Sequence, residues 1–244
     1  MSLYGKNPRY TWGVLRNAQL IPVYLPDWTL RVYVADDLAP DRLAVSARMI
    51  NKMRLLGAEI VHVSTKNSMA PRNWRLLVTE DHNVDYFLVR DADIRLSDRE
   101  ANAVRYWLSV AKKNKYAATI YCIRDHPEHA EQAIVDGLWG GRQRRLYQML
   151  KHNLTQMVNS ITYNSTDQLK MRTFLNHVLW PAVINYSLCH DSVSPCDRWS
   201  PTASRHLFRL PPRQGKEYIG QKFDAHQELI SKTGDFAKSG VASC

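Results

Sequence analysis

A short apolar segment that ends in two closely spaced aspartates is the strongest constraint in this chain. Residues 84–95 carry the run Tyr86-Phe87-Leu88-Val89, typical of a β-strand, followed by Arg90-Asp91-Ala92-Asp93. Alternate residues of an extended chain point to the same side, so both carboxylates can aim at one point at the mouth of a sheet. Oxygen ligands of this kind suit Mg²⁺ or Mn²⁺, which keep part of their shell for substrate phosphates. The segment therefore predicts a metal–diphosphate site at a strand end, with a solvated turn as the alternative.

Alternating strand and helix patterns predict an α/β fold. We expect strands over residues 29–35, 59–63, 84–90, 119–123 and 188–192, and the end of a further strand at 3–5. Helices are expected over 11–21, 41–56, 72–80, 97–112, 144–159 and 166–178. This order predicts a mostly parallel, twisted sheet flanked by helices, and ligands of such sheets bind beyond the carboxyl ends of the strands.

Composition and charge indicate the partners to expect. The 244 residues are 45% hydrophobic and 23% charged, which is typical of a globular protein. The formal net charge of +10 favours anionic partners such as a nucleotide diphosphate, a phosphorylated lipid surface or nucleic acid. The basic residues are dispersed and show no nucleic-acid-binding signature, so we expect no dedicated nucleic-acid recognition.

The compartment is predicted from what the sequence lacks. We find no apolar run long enough for a transmembrane segment and no signal-peptide pattern, so a cytoplasmic enzyme is the expectation. Two N-glycosylation sequons, at Asn153 and Asn164, keep a secretory lumen open if the chain is a fragment of an anchored enzyme.

Four widely spaced cysteines include no metal-binding pair. They are Cys122, Cys189, Cys196 and Cys244, and we expect them to be reduced thiols. A bridge between Cys189 and Cys196 is the alternative in an oxidising compartment.

Three later segments carry polar or glycine-rich chemistry. Asp125 follows the 119–123 strand, where it can hydrogen-bond sugar hydroxyls at a pocket rim or lie in a surface turn. Residues 137–141 form a predicted glycine-rich loop, in which Gly140 allows close approach of a ligand and Trp139 stacks on a sugar face or packs in the core. Asp167 and Gln168 lie at a helix start.

Taken together, these segments resemble a nucleotide-sugar glycosyltransferase of the GT-A fold, close to the glycogenin-like family 8 enzymes and a less characterised relative group. The resemblance extends from about residue 3 to 224. It rests on Tyr10-Thr11-Trp12-Gly13-Val14-Leu15 at a helix start, Trp74 before the acidic strand, Asp91-Ala92-Asp93, residues 137–141, Asp167-Gln168 and a late His190. The segments Arg-Asp-Ala-Asp-Ile-Arg-Leu-Ser-Asp and Arg-Asp-His-Pro-Glu-His are closer still to the relative group.

The chain also departs from the family pattern. Arg90 stands where family 8 has an apolar residue before the first aspartate, and the Gly-Pro-Lys-type segment after the late histidine is missing. The first strand looks clipped. We expect a single GT-A-like catalytic domain over residues 1–230, followed by a polar, disordered tail over 231–244.

The resemblance implies a role for each site residue. Asp91, Asp93 and His190 would hold Mn²⁺ or Mg²⁺, Arg75 and Arg90 would bind the donor diphosphate, and Tyr4 and Tyr10 would line the nucleoside pocket. Asp125, Asp167 and Gln168 would hold the donor sugar. In a retaining enzyme, which the resemblance favours, Gln168 would lie under the anomeric carbon; in an inverting one Asp125 would deprotonate the acceptor.

Other functions remain open. A sugar-1-phosphate nucleotidyltransferase is also α/β with metal-binding aspartates, but it normally shows an N-terminal glycine-rich loop. A catalytically inactive glycosyltransferase-like binding module is a further alternative, as is a basic nucleic-acid binder that uses residues 142–145. The sequence does not specify the donor base and sugar, the glycan, protein or lipid acceptor, or the oligomeric state.

Overall fold

The computed structural model describes residues 1–36, 38–66, 69–114, 118–161, 167–193, 199, 207–208, 210, 213, 217–226 and 228–230. Within these residues the chain is α/β, with seven α-helices and seven strands in two sheets. The helices are α1 Pro8–Tyr24, α2 Ala47–Leu55, α3 Asp98–Lys113, α4 Gln143–Leu150, α5 Leu154–Asn159, α6 Asp167–Thr173 and α7 Trp180–Val183. The strands are β1 Arg31–Ala35, β2 Glu59–Val63, β3 Tyr86–Arg90, β4 Ile120–Arg124, β5 Leu138–Arg142, β6 Ser187–Asp191 and β7 Leu207–Phe208.

The chain divides into two compact units. Unit 1 contains Met1–Leu77, Arg90–Asp98 and Gln221–Lys232, and unit 2 contains Val78–Val89, Arg99–Gly220 and Thr233–Cys244. The acidic Asp91-Ala92-Asp93 turn therefore belongs to unit 1. The prediction of one catalytic domain over residues 1–230 stays a prediction.

Unit 1 is built on a parallel pair of strands, β1 and β2, with Arg31 opposite Glu59 and Ala35 opposite Val63. Residues before α1 extend this sheet, because Ser2 forms a parallel bridge with Tyr33. The strand end predicted at residues 3–5 is thus observed as a single bridge at Ser2, and residues 3–5 themselves lie outside any strand. Helices α1 and α2 bury apolar side chains against the strands in one core cluster, which includes Val14, Val32, Val34 and Met53.

Unit 2 is built on a mixed sheet with the strand order β3-β5-β4-β6-β7. Strand β4 is antiparallel to β5 and parallel to β6, and β6 is parallel to β7. Aromatic side chains fill the core: Trp107 stacks on Tyr121 with ring centroids 4.9 Å apart, and Phe87 meets Trp139 edge-on at 5.6 Å.

The α/β class is confirmed, but the expectation of one mostly parallel sheet is wrong for the described strands. They form a parallel pair and a separate mixed sheet. The antiparallel strand is β5, which covers the residues expected to form a glycine-rich loop. Glycine is a poor indicator of a strand, and here it is used because neighbouring backbone comes too close for a side chain.

Several helix boundaries also differ from the predictions. Helix α1 continues through Pro22, and the predicted 144–159 helix is split by Lys151, which has a left-handed backbone with φ of 56°. Residues Pro71–Glu80 form a 3-10 helix, and Phe174–Leu179 form a π-helical segment that continues into α7. No helix within the described ranges is long and apolar enough to cross a membrane.

Two cysteines expected to be thiols form a disulfide. Cys122 on β4 and Cys189 on β6 are register partners in parallel strands, and they are bonded to each other. The expectation failed because it was based on spacing in the sequence, whereas the pairing depends on which strands become neighbours. Cys196 and Cys244 lie outside the described residues.

Candidate functional site

The turn that carries both aspartates is fixed against helix α1. A Cβ atom at Gly13 would lie 2.1 Å from the carbonyl oxygen of Ala92, so the helix needs glycine at this point. One turn later, the buried Asn17 donates from Nδ2 to the Ile94 carbonyl at 2.8 Å, and its Oδ1 accepts from the Leu96 amide at 3.2 Å. Helix α1 therefore sets the backbone of the acidic turn.

Each aspartate of the turn is paired with an arginine. Arg75 donates from Nη1 to Oδ1 of Asp91, and Arg9 donates from Nε to Oδ2 of Asp93 at 2.9 Å. The side chain of Arg75 is buried, whereas the side chain of Arg9 is 30% exposed. The other oxygen of each carboxylate accepts no hydrogen bond from the described part of the chain.

A segment from far along the chain completes the surroundings of the turn. Lys222 forms an antiparallel bridge with Ile94, and the Phe223 amide donates to the Asp93 carbonyl at 3.0 Å. Arg95 lies over the Phe223 ring, 5.0 Å from its centroid. These contacts bring a further cationic side chain, Lys222, close enough to act on Asp91.

The charges around Asp91 decide its ionisation. Burial alone would raise the pKa of this carboxyl, but Arg75, Lys222 and Arg72 all favour the ionised form. Together they hold the pKa of Asp91 below its ordinary value. Asp91 is therefore a carboxylate inside a predominantly cationic cluster.

Two half-exposed tyrosines belong to the same cluster. Tyr4 is 39% exposed and Tyr10 is 38% exposed. Tyr4 meets Trp74 edge-on at 6.2 Å, and Arg9 lies 5.5 Å from the Tyr10 ring centroid. Burial raises the pKa of Tyr4, and the charges that act on its phenol include Arg72, Arg75 and Asp91.

The structure thus brings together, within unit 1, five residues predicted for the donor site: Tyr4, Tyr10, Arg75, Asp91 and Asp93. Arg90, also predicted, is buried at the end of β3 in the same unit. Sequence reasoning missed Arg9, Asn17, Arg72 and Lys222. Arg9 stands beside Tyr10 and could have been considered, but nothing in the local sequence connects Lys222 to residues 91–94.

The two aspartates have the donor chemistry that Mg²⁺ and Mn²⁺ prefer, and each keeps one carboxylate oxygen without a described hydrogen bond. Such cations commonly use one or two protein carboxylates and take their remaining ligands from water and phosphate. Among the described residues, no three His, Cys, Asp or Glu side chains are grouped to hold a metal ion. The pair therefore fits a cation that substrate phosphates help to bind.

His190, predicted as a third ligand, lies on β6 in unit 2. It is buried, with the ring edges of Tyr106 and Tyr121 at centroid distances of 5.7 and 6.0 Å. These contacts explain its position as part of an aromatic core.

Asp125 lies at the end of β4 as a buried anion. It is paired with Arg99 and accepts from Ser192 Oγ at 2.5 Å, Arg213 Nη2 at 2.8 Å and the Ile219 amide at 2.8 Å. Burial opposes its ionisation, but Arg99, Ser192 and Arg213 outweigh burial and lower the pKa of Asp125. A fully buried carboxylate with a low pKa suits structural anchoring better than proton abstraction.

Trp139 and Gly140 lie in strand β5 rather than in a loop. Trp139 is buried against Phe87, and a Cβ atom at Gly140 would lie 2.2 Å from the Phe87 carbonyl oxygen. The structure therefore explains both residues by strand packing. The prediction that they contact a donor sugar has no support from these contacts.

Asp167 and Gln168 begin helix α6, as predicted. Gln168 is exposed and makes no hydrogen bond through its side chain to the described residues. The side chain of Asp167 lies outside the described part of the structure.

Comparisons of the chain with protein-family models, with curated proteins and with solved structures find no match. The fold and the site together define an α/β protein with a carboxylate pair inside a cationic, tyrosine-lined cluster.

Proposed function

We propose that this protein is a metal-dependent glycosyltransferase of the GT-A type that moves a sugar from a nucleotide-diphosphate sugar to a glycan, protein or lipid acceptor, with retention at the anomeric carbon. The observation that carries the proposal is the cluster in unit 1. It combines two half-exposed tyrosines, several cationic side chains and two carboxylates, which are the chemical groups needed for a nucleoside, a diphosphate and a divalent cation.

Different residues of the cluster would bind different parts of the donor. Tyr4 and Tyr10 offer aromatic surface for the nucleoside. Arg75 and Arg72 offer guanidinium groups that match phosphate oxygens in a bidentate way, and Lys222 adds a compact charge. Asp91 and Asp93 would hold Mn²⁺ or Mg²⁺, which when bound supplies Lewis-acid stabilisation of the departing nucleotide diphosphate.

In the transfer step, the bond between the anomeric carbon and the diphosphate oxygen breaks, and its electron pair leaves with the nucleotide. The sugar passes through an oxocarbenium-like state, and the acceptor hydroxyl forms the new bond and gives its proton to the departing diphosphate oxygen. The resemblance assigns Gln168 to the face of the anomeric carbon and Asp167 to the sugar hydroxyls.

Calorimetric titration with UDP-glucose, UDP-galactose and GDP-mannose tests the proposal, first with Mn²⁺ and then with EDTA. We expect one donor to bind in the presence of Mn²⁺ and to lose affinity by about tenfold or more in EDTA, given the charge that the cation neutralises. A double variant Asp91→Asn/Asp93→Asn should lose the metal-dependent binding. The exposed Asp27 offers a matched control, Asp27→Asn, which should bind like the wild type.

Product analysis separates the alternatives. Release of nucleoside diphosphate and a glycosylated acceptor supports the proposal, whereas release of pyrophosphate from a nucleoside triphosphate and a sugar phosphate would indicate a nucleotidyltransferase. Tight donor binding without turnover on any acceptor would indicate an inactive binding module.

A further inference from the structure

We infer that Arg9 and Arg75 take the place of a cation at Asp91 and Asp93 until the donor binds, so that the donor diphosphate and the divalent cation bind as a mutually dependent pair. The inference rests on the proposed function and adds a control mechanism to the same site.

The contacts already described supply the first step. Both carboxylates have an ion-pair partner within the chain, and one of the two partners, Arg75, is buried. A guanidinium group compensates carboxylate charge, as a bound cation would do. The charge of the turn is therefore compensated by side chains of the protein itself.

The balance of charge supplies the second step. Asp91 interacts with Arg75, Lys222 and Arg72, and Asp93 is paired with Arg9 and interacts with Arg95. Five cationic side chains thus act on two carboxylates. A divalent cation that approaches alone meets like charges at short range, which oppose its binding.

The third step is an exchange of partners. Phosphate oxygens match the guanidinium fork at least as well as a carboxylate does, and the donor diphosphate brings two negative charges on one ligand. When a diphosphate takes Arg9 and Arg75, the oxygens of Asp91 and Asp93 become available to the cation. Each ligand then raises the affinity for the other by the same factor, as linkage requires.

Removal of one arginine should change the two affinities in opposite directions. We expect the variants Arg9→Gln and Arg75→Gln to bind Mn²⁺ alone about tenfold more tightly than the wild type does. Electron paramagnetic resonance, which detects the free ion, measures this affinity. The same variants should bind UDP or GDP in EDTA about tenfold more weakly. A purely structural role of the arginines would weaken both ligands together.

The matched control is Arg48→Gln. It removes one positive charge from an exposed position of α2 in the same unit, and Arg48 makes no side-chain hydrogen bond or ion pair to the described residues. This variant should leave both affinities within about twofold of the wild type, as expected for a surface charge. If the buried Arg75 variant does not fold, the partly exposed Arg9 variant carries the test.

The outcomes separate the two claims. Suppose first that the wild type binds UDP or GDP with Mn²⁺. If Arg9→Gln then binds Mn²⁺ alone no more tightly than the wild type does, the exchange of partners is wrong and the proposed function stands. A folded wild type that binds neither nucleotide with Mn²⁺ overturns the proposed function and the inference together.

Discussion

At the scale of single residues, Asp125 shows how a buried charge can organise a unit of this fold. Its carboxylate is fully buried, and its partners come from α3, from the residue after β6 and from two later positions, Arg213 and Ile219. Removing one partner of a buried ion pair costs more than the pair contributes, because the remaining charge loses its compensation. Asp125 therefore ties distant parts of unit 2 to the end of β4.

We expect Asp125→Asn to lower the free energy of unfolding by about 3 kcal/mol at pH 7, because the fully buried side chain would lose its ion pairs with Arg99 and Arg213. The folded pKa of Asp125 lies below the ordinary value, so its contribution is present above about pH 4 and is lost as the pH falls further. The difference between wild type and variant should therefore narrow below about pH 4 in urea titrations.

The control is Glu128→Gln, which neutralises a largely exposed carboxylate three residues away. It should change stability by less than about 0.5 kcal/mol. A difference between wild type and Asp125→Asn that stays constant from pH 7 to pH 3 would contradict the assignment of Asp125 as a buried anion.

At the scale of elements, the contact of helix α1 with the acidic turn is the feature that positions the candidate site. Glycine inside a helix normally costs about 1 kcal/mol relative to alanine. Here that cost is offset by the approach of the Ala92 carbonyl, which leaves no space for a Cβ atom at Gly13. The glycine is thus required by packing rather than by backbone conformation.

The variant Gly13→Ala should therefore be destabilised, by about 1–3 kcal/mol, although alanine is the better helix former. The displaced turn should also bind Mn²⁺ and the donor together more weakly. Thermal unfolding and donor titration measure the two effects. An increase in stability would show that the helix and the turn are less closely packed than described.

The contrast between β3 and β5 shows what could be predicted from the sequence. The strand that precedes Asp91 was predicted because local apolar runs define strands, and Tyr4, Tyr10 and Arg75 were assigned through a family resemblance. Strand β5 was missed because glycines inside a strand resemble a loop until the neighbouring backbone is known. Lys222 could not be found, since its contact with the turn depends on the path of more than a hundred intervening residues.

At the scale of the whole molecule, the net charge of +10 should act on every anionic ligand. The interactions of exposed charges are screened over about 10 Å at 0.1 M salt and about 3 Å at 1 M salt. The candidate site is itself cationic. The long-range attraction of the protein for a diphosphate and the local contacts at the site therefore both favour binding.

We therefore expect the affinity for UDP to fall by about tenfold between 0.1 M and 1 M NaCl, because screening shortens the range of the attraction. Uridine, which lacks the diphosphate, serves as the matched control, and its affinity should change by less than about twofold. Calorimetry at several salt concentrations gives both values. Equal salt dependence for the two ligands would show that the charge of the protein does not contribute to donor binding.

The bond between Cys122 and Cys189 bears on how the protein has to be produced. It joins residues 67 positions apart, and closure of a loop of that size stabilises a fold by about 4 kcal/mol in the chain-entropy treatment. Protein made in a reducing bacterial cytosol would carry two buried thiols at this position, whereas export to the periplasm or an oxidising host strain would allow the bond to form. The choice of expression host therefore decides which form of the protein is purified, and thiol counting on each preparation should precede any assay of activity.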